Sequence, residues 1–153
     1  EHAVKAEEFI YSSLPTVIAV KVGETQSEDR NHPGRRITIW ILRTANDTIR
    51  LRKPTKFRLD RRTPNGAIFD VRLHDGKIVW IKEHTGSLSV SWLKEVSGEV
   101  QLRTDRNGKK YAMISGSYIG EDLLKGINDG KRIKFLSIQQ KDGRWVAISI
   151  IKS

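Results

Sequence analysis

The residues from Ser97 to Ser153 form a series of short apolar runs, each ended by a turn that contains glycine. Residues 105–108 (Asp-Arg-Asn-Gly) and 141–143 (Lys-Asp-Gly) are typical connections between antiparallel strands. Within the runs, apolar and polar residues alternate, which is the pattern of a strand with one buried face. Five short segments in so few residues predict a small closed barrel, because closure removes the exposed edges of a sheet.

The order of these segments resembles the cold-shock branch of the OB-fold family. Gly98-Glu99-Val100 corresponds to the Gly-x-Val of the family's first strand, and residues 109–114 (KKYAMI) stand where its first nucleic-acid motif stands. Residues 118–122 (YIGED) take the place of the second motif, and residues 132–139 and 144–151 match the closing hairpin. The resemblance covers about residues 97–153 and implies an OB-fold-like barrel.

Residues 1–95 are also predicted to be all-β, with about six or seven strands in a fold that the pattern does not name. We expect strands at 16–22, 35–42, 48–53, 56–60, 67–73, 77–82 and 87–93. Residues 23–34 contain no apolar side chain and predict a long exposed loop. In 35–42, the three isoleucines are predicted to face inward and Trp40 outward. The spacing of residues 3–14 is compatible with a short N-terminal helix ended by Pro15.

Net charge points to a polyanionic partner. The chain carries 28 Lys and Arg against 18 Asp and Glu, a net charge of +10 and a pI of about 10.0. We expect two domains, 1–95 and 96–153, and the excess of positive charge belongs to both. Such a balance favours nucleic acid first and anionic membrane surfaces second. No apolar run approaches a membrane-spanning length, and we expect no membrane binding.

The densest basic segment is residues 50–62, in which seven of 13 residues are basic and one is acidic. The basic residues are Arg50, Arg52, Lys53, Lys56, Arg58, Arg61 and Arg62. Period-two spacing predicts that two adjacent strands present them as a stripe, whose guanidinium groups suit phosphate oxygens. The alternative is a solvated sheet face whose arginine stems cover apolar surface.

In the C-terminal part, the resemblance implies that Tyr111 lies on the face that stacks on bases. We expect Trp145 to stack on bases as well, with Lys109, Arg132 and Lys134 as phosphate partners. Trp40 and Trp80 are further stacking candidates, although tryptophans in small β domains are mostly buried.

Catalytic and metal chemistry is not indicated. The chain has no cysteine, and its four histidines lack the spacing of metal ligands. No combination of acid, base and nucleophile emerges, so we expect neither an enzyme nor a cofactor. The sequence predicts a cytoplasmic protein that binds single-stranded RNA or DNA through a basic β-sheet face. The alternative is a structural or protein-interaction β module that docks an acidic partner.

Overall fold

The computed structural model describes residues 12–52 and 54–152, and it confirms the all-β prediction. Of the described residues, about 51% lie in strands and 7% in helices, and the two sheets are curled, one into a half-barrel. The chain divides into two compact units, Glu1–Gly86 and Ser87–Ser153. The predicted N-terminal helix falls outside the described residues except for its last three, of which Ser12 and Ser13 are helical.

The first unit is a five-stranded antiparallel sheet in the order β3-β2-β1-β4-β5. Its strands are β1 (Val17–Glu28), β2 (Arg36–Arg43), β3 (Thr48–Arg52), β4 (Ile68–His74) and β5 (Lys77–Glu83). A 3-10 helix (Pro54–Phe57) follows β3. The expected long loop at 23–34 is wrong in its first half, because β1 continues to Glu28 and pairs with β2 along that length. Hairpin pairing overrides the polar composition of this segment.

The core of the first unit shows that the predicted orientation of β2 is inverted. The core cluster consists of Ala19, Trp40, Leu42, Leu51, Phe69 and Val71. Trp40 is fully buried, and Ile39 and Ile41 lie on the opposite face of the sheet. Both faces of β2 carry large apolar residues, so a period of two does not determine which face is inward.

Two of the predicted strands do not form. Residues 56–60 are not a strand, because Pro54 lacks an N–H to donate to the sheet and the chain turns into the 3-10 helix. Arg58 then has a φ of 61°, in the left-handed region. Residues 87–92 are also irregular, and the strand expected there begins at Leu93.

The second unit is a six-stranded sheet in the order β6-β10-β11-β9-β8-β7. Its elements are β6 (Leu93–Glu99), β7 (Arg103–Thr104), β8 (Lys110–Ile114), β9 (Ser117–Ile119), α1 (Glu121–Leu124), β10 (Arg132–Gln139) and β11 (Trp145–Lys152). The helical turn α1 begins with the acidic residues Glu121 and Asp122. Strands β9 and β11 are parallel, and all other neighbouring pairs are antiparallel.

The sheet of the second unit curls because β6 and β7, which are close together in the sequence, lie at opposite ends of the strand order. Strand β6 pairs with β10, and β7, only a few residues later, pairs with β8. At the bend, a Cβ on Gly98 would collide with the side chain of Ile114, so the close approach of β6 and β8 requires glycine there. The hydroxyls of Ser117 and Ser137, both fully buried, lie 2.8 Å apart and link β9 to β10.

Candidate nucleic-acid interface

Arg50 and Arg52 lie on the outer face of β3. The strand alternates exposed and buried residues, so that Ile49 and Leu51 point inward and the two arginines outward. Arg50 lies opposite Ile41 and Arg52 opposite Ile39 on β2. The arginine stems therefore run beside apolar side chains while the guanidinium groups remain in water.

The remaining basic residues of the segment are held by the 3-10 helix and the loop after it. Lys56 belongs to the helix, and Arg58, Arg61 and Arg62 to the loop. Lys53 lies outside the described residues. The predicted stripe on two adjacent strands is therefore wrong, because only β3 is a strand. We call the exposed side chains of Arg50, Arg52, Lys56, Arg58, Arg61 and Arg62 the basic surface.

None of the basic surface is neutralised by a neighbouring carboxylate. In the part of the chain that the structure describes, no carboxylate oxygen lies within 4.0 Å of these side chains. Asp60, the one acid of the segment, accepts a hydrogen bond from the backbone N–H of Arg62 instead. The basic side chains are consequently available to an anion from solution.

A cavity of about 560 Å³ adjoins Lys56 and Arg61, and we call it the cationic cleft. It lies on the Trp40 side of β2, whereas Arg50 and Arg52 lie on the other side of the sheet. Four exposed cations line it, Arg35, Arg36, Lys56 and Arg61, together with Asp29 and His32. The first two cations follow the β1–β2 turn, which is closed by a hydrogen bond from the Asp29 N–H to the Arg35 carbonyl (2.8 Å). The cleft therefore brings together basic residues from two distant segments of the chain.

Lys21 holds the loop that carries Arg61 and Arg62. Its side chain is 1% exposed, and its Nζ donates to the Thr63 carbonyl at 2.7 Å and to Glu24 Oε1 at 2.9 Å. The same ammonium lies 4.9 Å from the centroid of the Trp40 ring. The sequence does not indicate this role, because a lysine in a strand is expected to face water. A β-bulge after Lys21 interrupts the alternation.

In the second unit, an aromatic face lies on the β8–β9 hairpin, where Tyr118 is exposed and Tyr111 half-buried. The rings of Tyr111 and Tyr118 stack with centroids 5.8 Å apart and an interplanar angle of 21°. Met113 lies directly opposite Tyr118 and is 43% exposed, and Tyr118 itself is 41% exposed. We call Tyr111, Met113 and Tyr118 the tyrosine face. Arg103, exposed and opposite Tyr111, borders it.

Sequence analysis named Tyr111 for this site but not Tyr118, Met113 or Arg103. The signal that identifies the pair is the turn at Ser115 and Gly116, both with positive φ. A two-residue turn fixes the register of a hairpin, and here that register places Tyr118 opposite Met113.

Trp145 lies on a different face from the tyrosines. Base stacking requires an outward ring, but Trp145 shares its face with Ala147, which belongs to the core cluster, so this face is the inner one. Trp145 is half-buried, and the Lys94 ammonium lies 4.1 Å from its ring centroid. Trp80 is likewise engaged, because the Arg72 guanidinium lies 4.1 Å from its ring centroid.

The cations predicted in the second unit differ in their surroundings. Lys109 is exposed in the loop before β8. Arg132 is exposed on β10, opposite Glu99. Lys134 forms an ion pair with Glu95 at 3.0 Å, so its charge is partly neutralised. The structure therefore does not gather these three cations with Trp145 on one surface.

The closing turn of the second unit is also internally paired. The Arg144 Nε and backbone N–H donate to the Asp142 carboxylate at 2.7 and 3.0 Å. These hydrogen bonds, the backbone one first, lower the pKa of Asp142 below its usual value. Arg144 is accordingly less available to an external anion than the arginines of the basic surface.

Among residues 12–52 and 54–152, no group of three or more His, Cys, Asp or Glu side chains is placed to hold a metal ion. In the same residues, no helix has the length and apolar character needed to cross a membrane. No protein-family model matches the chain, and neither a curated protein nor a solved structure matches it.

Proposed function

We propose that this chain binds single-stranded RNA or DNA. The observation that carries the proposal is the basic surface, whose arginine and lysine side chains are exposed and have no carboxylate partner in the described chain. Neighbouring cations without counter-charge, such as Arg50 and Arg52 on the outer face of β3, repel each other, and a phosphate backbone relieves that repulsion. Arginine predominates, and its planar guanidinium matches phosphate oxygens in pairs.

The tyrosine face supports a preference for single strands. Bases that are not held in a duplex stack on exposed aromatic side chains, and such stacking tolerates any sequence. Tyr111 and Tyr118 are side by side on a sheet, with Arg103 next to them for the backbone phosphates. A duplex has no free base faces to offer, so it gains only from the basic surface.

We also propose that the second unit is an OB fold. Three features support this. The first segment pairs with β10 through β6 and with β8 through β7. A helical turn lies between β9 and β10, and β9 pairs with β11 in parallel. In OB folds the second and third strands bind oligonucleotides. Counting β6 and β7 as one strand, these correspond to β8 and β9, which carry the tyrosine face.

Fluorescence anisotropy with a labelled single strand of about 20 nucleotides, longer than one OB-fold site, tests the function. The proposal predicts saturable binding at about 50 mM salt, displaced more readily by unlabelled single strand than by a duplex of the same length. An unchanged anisotropy at that salt concentration would falsify it.

The same assay addresses docking of an acidic protein. Polyglutamate of matched charge presents carboxylates without bases, so it competes weakly if the tyrosine face contributes. Competition by polyglutamate equal to that of the single strand would favour an acidic protein partner over nucleic acid.

A further inference from the structure

The cationic cleft is concave, and it shares only Lys56 and Arg61 with the basic surface. Arg35 and Arg36 approach from the end of the β1–β2 turn, and Lys56 and Arg61 from the segment after β3. Its volume of about 560 Å³ is within the range of pockets that enclose small ligands. A cleft of this size accommodates the terminal nucleotide of a strand, whereas a strand that continues in both directions suits an open surface better.

The charge in the cleft exceeds what one internal phosphate needs. Four cations line it against one carboxylate, that of Asp29, which lies 3.4 Å from His32 Nδ1. Glu28 lies opposite Arg36 on β1 but does not line the cleft. A phosphodiester carries a single negative charge. A terminal phosphate monoester carries about −1.5 to −2 at neutral pH and has three acceptor oxygens. The monoester therefore complements the cleft better than an internal phosphate does.

The cleft also lacks an aromatic surface for a base. Trp40 lines it but is fully buried, with the Lys21 ammonium 4.9 Å and the Phe69 ring 6.0 Å from its ring centroid. Its ring is therefore not free to stack. The polar groups around the cavity, including the hydroxyls of Thr38 and Thr55, suit phosphate oxygens.

We propose that the cationic cleft binds the terminal phosphate of a nucleic-acid strand, independently of the base that carries it. This inference rests on the proposed function and deepens it, because it distinguishes the end of a strand from its interior. The shared chemistry is the phosphate monoester, which occurs at a 5′ or a 3′ end.

The experiment compares three single strands of one sequence, with a 5′-phosphate, a 3′-phosphate or hydroxyls at both ends. Their affinities for the intact protein are measured at one fixed low salt concentration. We expect one phosphorylated strand to bind roughly tenfold more tightly than the unphosphorylated strand, the effect of an added charge-assisted contact. Repeating the comparison with a different terminal base should leave this ratio unchanged.

Arg61 and Arg62 provide a matched pair of variants. They are adjacent exposed arginines, but only Arg61 lines the cleft. Arg61→Ala should abolish the preference for the phosphorylated end, whereas Arg62→Ala should weaken the binding of all three strands equally. Circular dichroism of both variants confirms that each is folded.

The outcomes separate the inference from the proposed function. Equal affinity of the wild-type protein for all three strands overturns the terminal-phosphate inference and leaves single-strand binding intact. A preference that survives in Arg61→Ala and is lost in Arg62→Ala also overturns the assignment to the cleft. Failure of every strand to bind overturns both.

Discussion

The two units carry the same net charge but arrange it differently. Residues 1–86 contain 16 Lys and Arg against 11 Asp and Glu, and residues 87–153 contain 12 against 7. In the first unit, the basic surface has no carboxylate partners in the described chain. In the second, ion pairs engage Lys134, Arg144 and Lys125, whereas Arg103, Lys109 and Arg132 are exposed and form no ion pair among the described residues.

Net charge alone therefore does not identify a polyanion-binding surface. An exposed cation that already has a carboxylate partner must lose that partner to gain a phosphate, so the exchange yields little free energy. An unpaired cation gains the full interaction and releases counterions. Under the proposed function, phosphate binding therefore falls to the unpaired cations, which are densest in the basic surface of the first unit, and base stacking to the tyrosine face of the second.

The largest expected effect comes from removing unpaired cations. Affinity falls as salt rises, and each phosphate contact on a single strand contributes about 0.7 to the steepness of log affinity against log salt. In the triple variant Arg50→Ala, Arg52→Ala and Arg58→Ala, this slope should therefore be shallower by about 2. Anisotropy titrations between about 50 and 200 mM salt measure it.

The matched control removes three paired cations of the second unit, Lys125→Ala, Lys134→Ala and Arg144→Ala. The net charge changes equally, but the slope should change much less than in the first triple variant. Equal changes in the two variants would show that the overall field, not specific contacts, governs binding.

The second unit is tested by Tyr118→Ala. Loss of the exposed ring should weaken binding of a single strand by about 1–3 kcal/mol, the usual contribution of one stacked base. The salt slope should be unchanged, because no cation is removed. Tyr118→Phe retains the ring and should bind as the wild type does; weak binding by this variant would assign the effect to the hydroxyl instead.

Lys21→Met tests how the first unit positions its basic loop. The substitution leaves the Thr63 carbonyl without the Lys21 ammonium, and we expect the free energy of unfolding to fall by about 1–3 kcal/mol. Urea denaturation measures this. Lys77→Met, at an exposed position, is the control and should be close to neutral. Equal stability of the two variants would contradict an anchoring role for Lys21.

Gly98→Ala tests the closure of the second unit. The added methyl group collides with Ile114, so we expect a loss of about 1 kcal/mol in the free energy of unfolding. Gly23→Ala in the first unit meets no atom within 4 Å and should be tolerated. A neutral Gly98→Ala would mean that β6 and β8 approach less closely than described.

The smallest effect concerns pH and the Asp142–Arg144 pair. Because the folded pKa of Asp142 is lowered, the pair stabilises the protein above the ordinary pKa of 3.8. That contribution is lost as the pH falls through the lowered pKa. The Tm of Asp142→Asn should therefore lie slightly below that of the wild type at pH 6 and converge with it at strongly acidic pH. A constant difference would contradict the assignment.

Much of the strand pattern was predictable from local sequence. The hairpins at 105–108 and 141–143, the outward position of Arg50 and Arg52 and the helical turn at Glu121 follow from turn residues, alternation and an acidic helix start. These features depend on residues close together in the chain, so the sequence is sufficient for them.

The remaining features depend on tertiary contacts. The inward face of β2 was predicted incorrectly because both faces are apolar, and burial of Trp40 against Phe69 decides between them. The cationic cleft was not anticipated, since it joins Arg35 to Arg61 across β2 and β3. The role of Lys21 depends on Thr63, 42 residues away in the chain.

An NMR titration that follows the arginine Nε–H signals of the intact protein, as a single strand is added, identifies the cations that contact the phosphate backbone. The account predicts large shifts for Arg50, Arg52 and Arg58, and small shifts for Arg144, whose Nε already donates to Asp142. Uniform shifts across all four arginines, or shifts confined to Arg144, would contradict the claim that unpaired cations of the first unit hold the phosphate backbone.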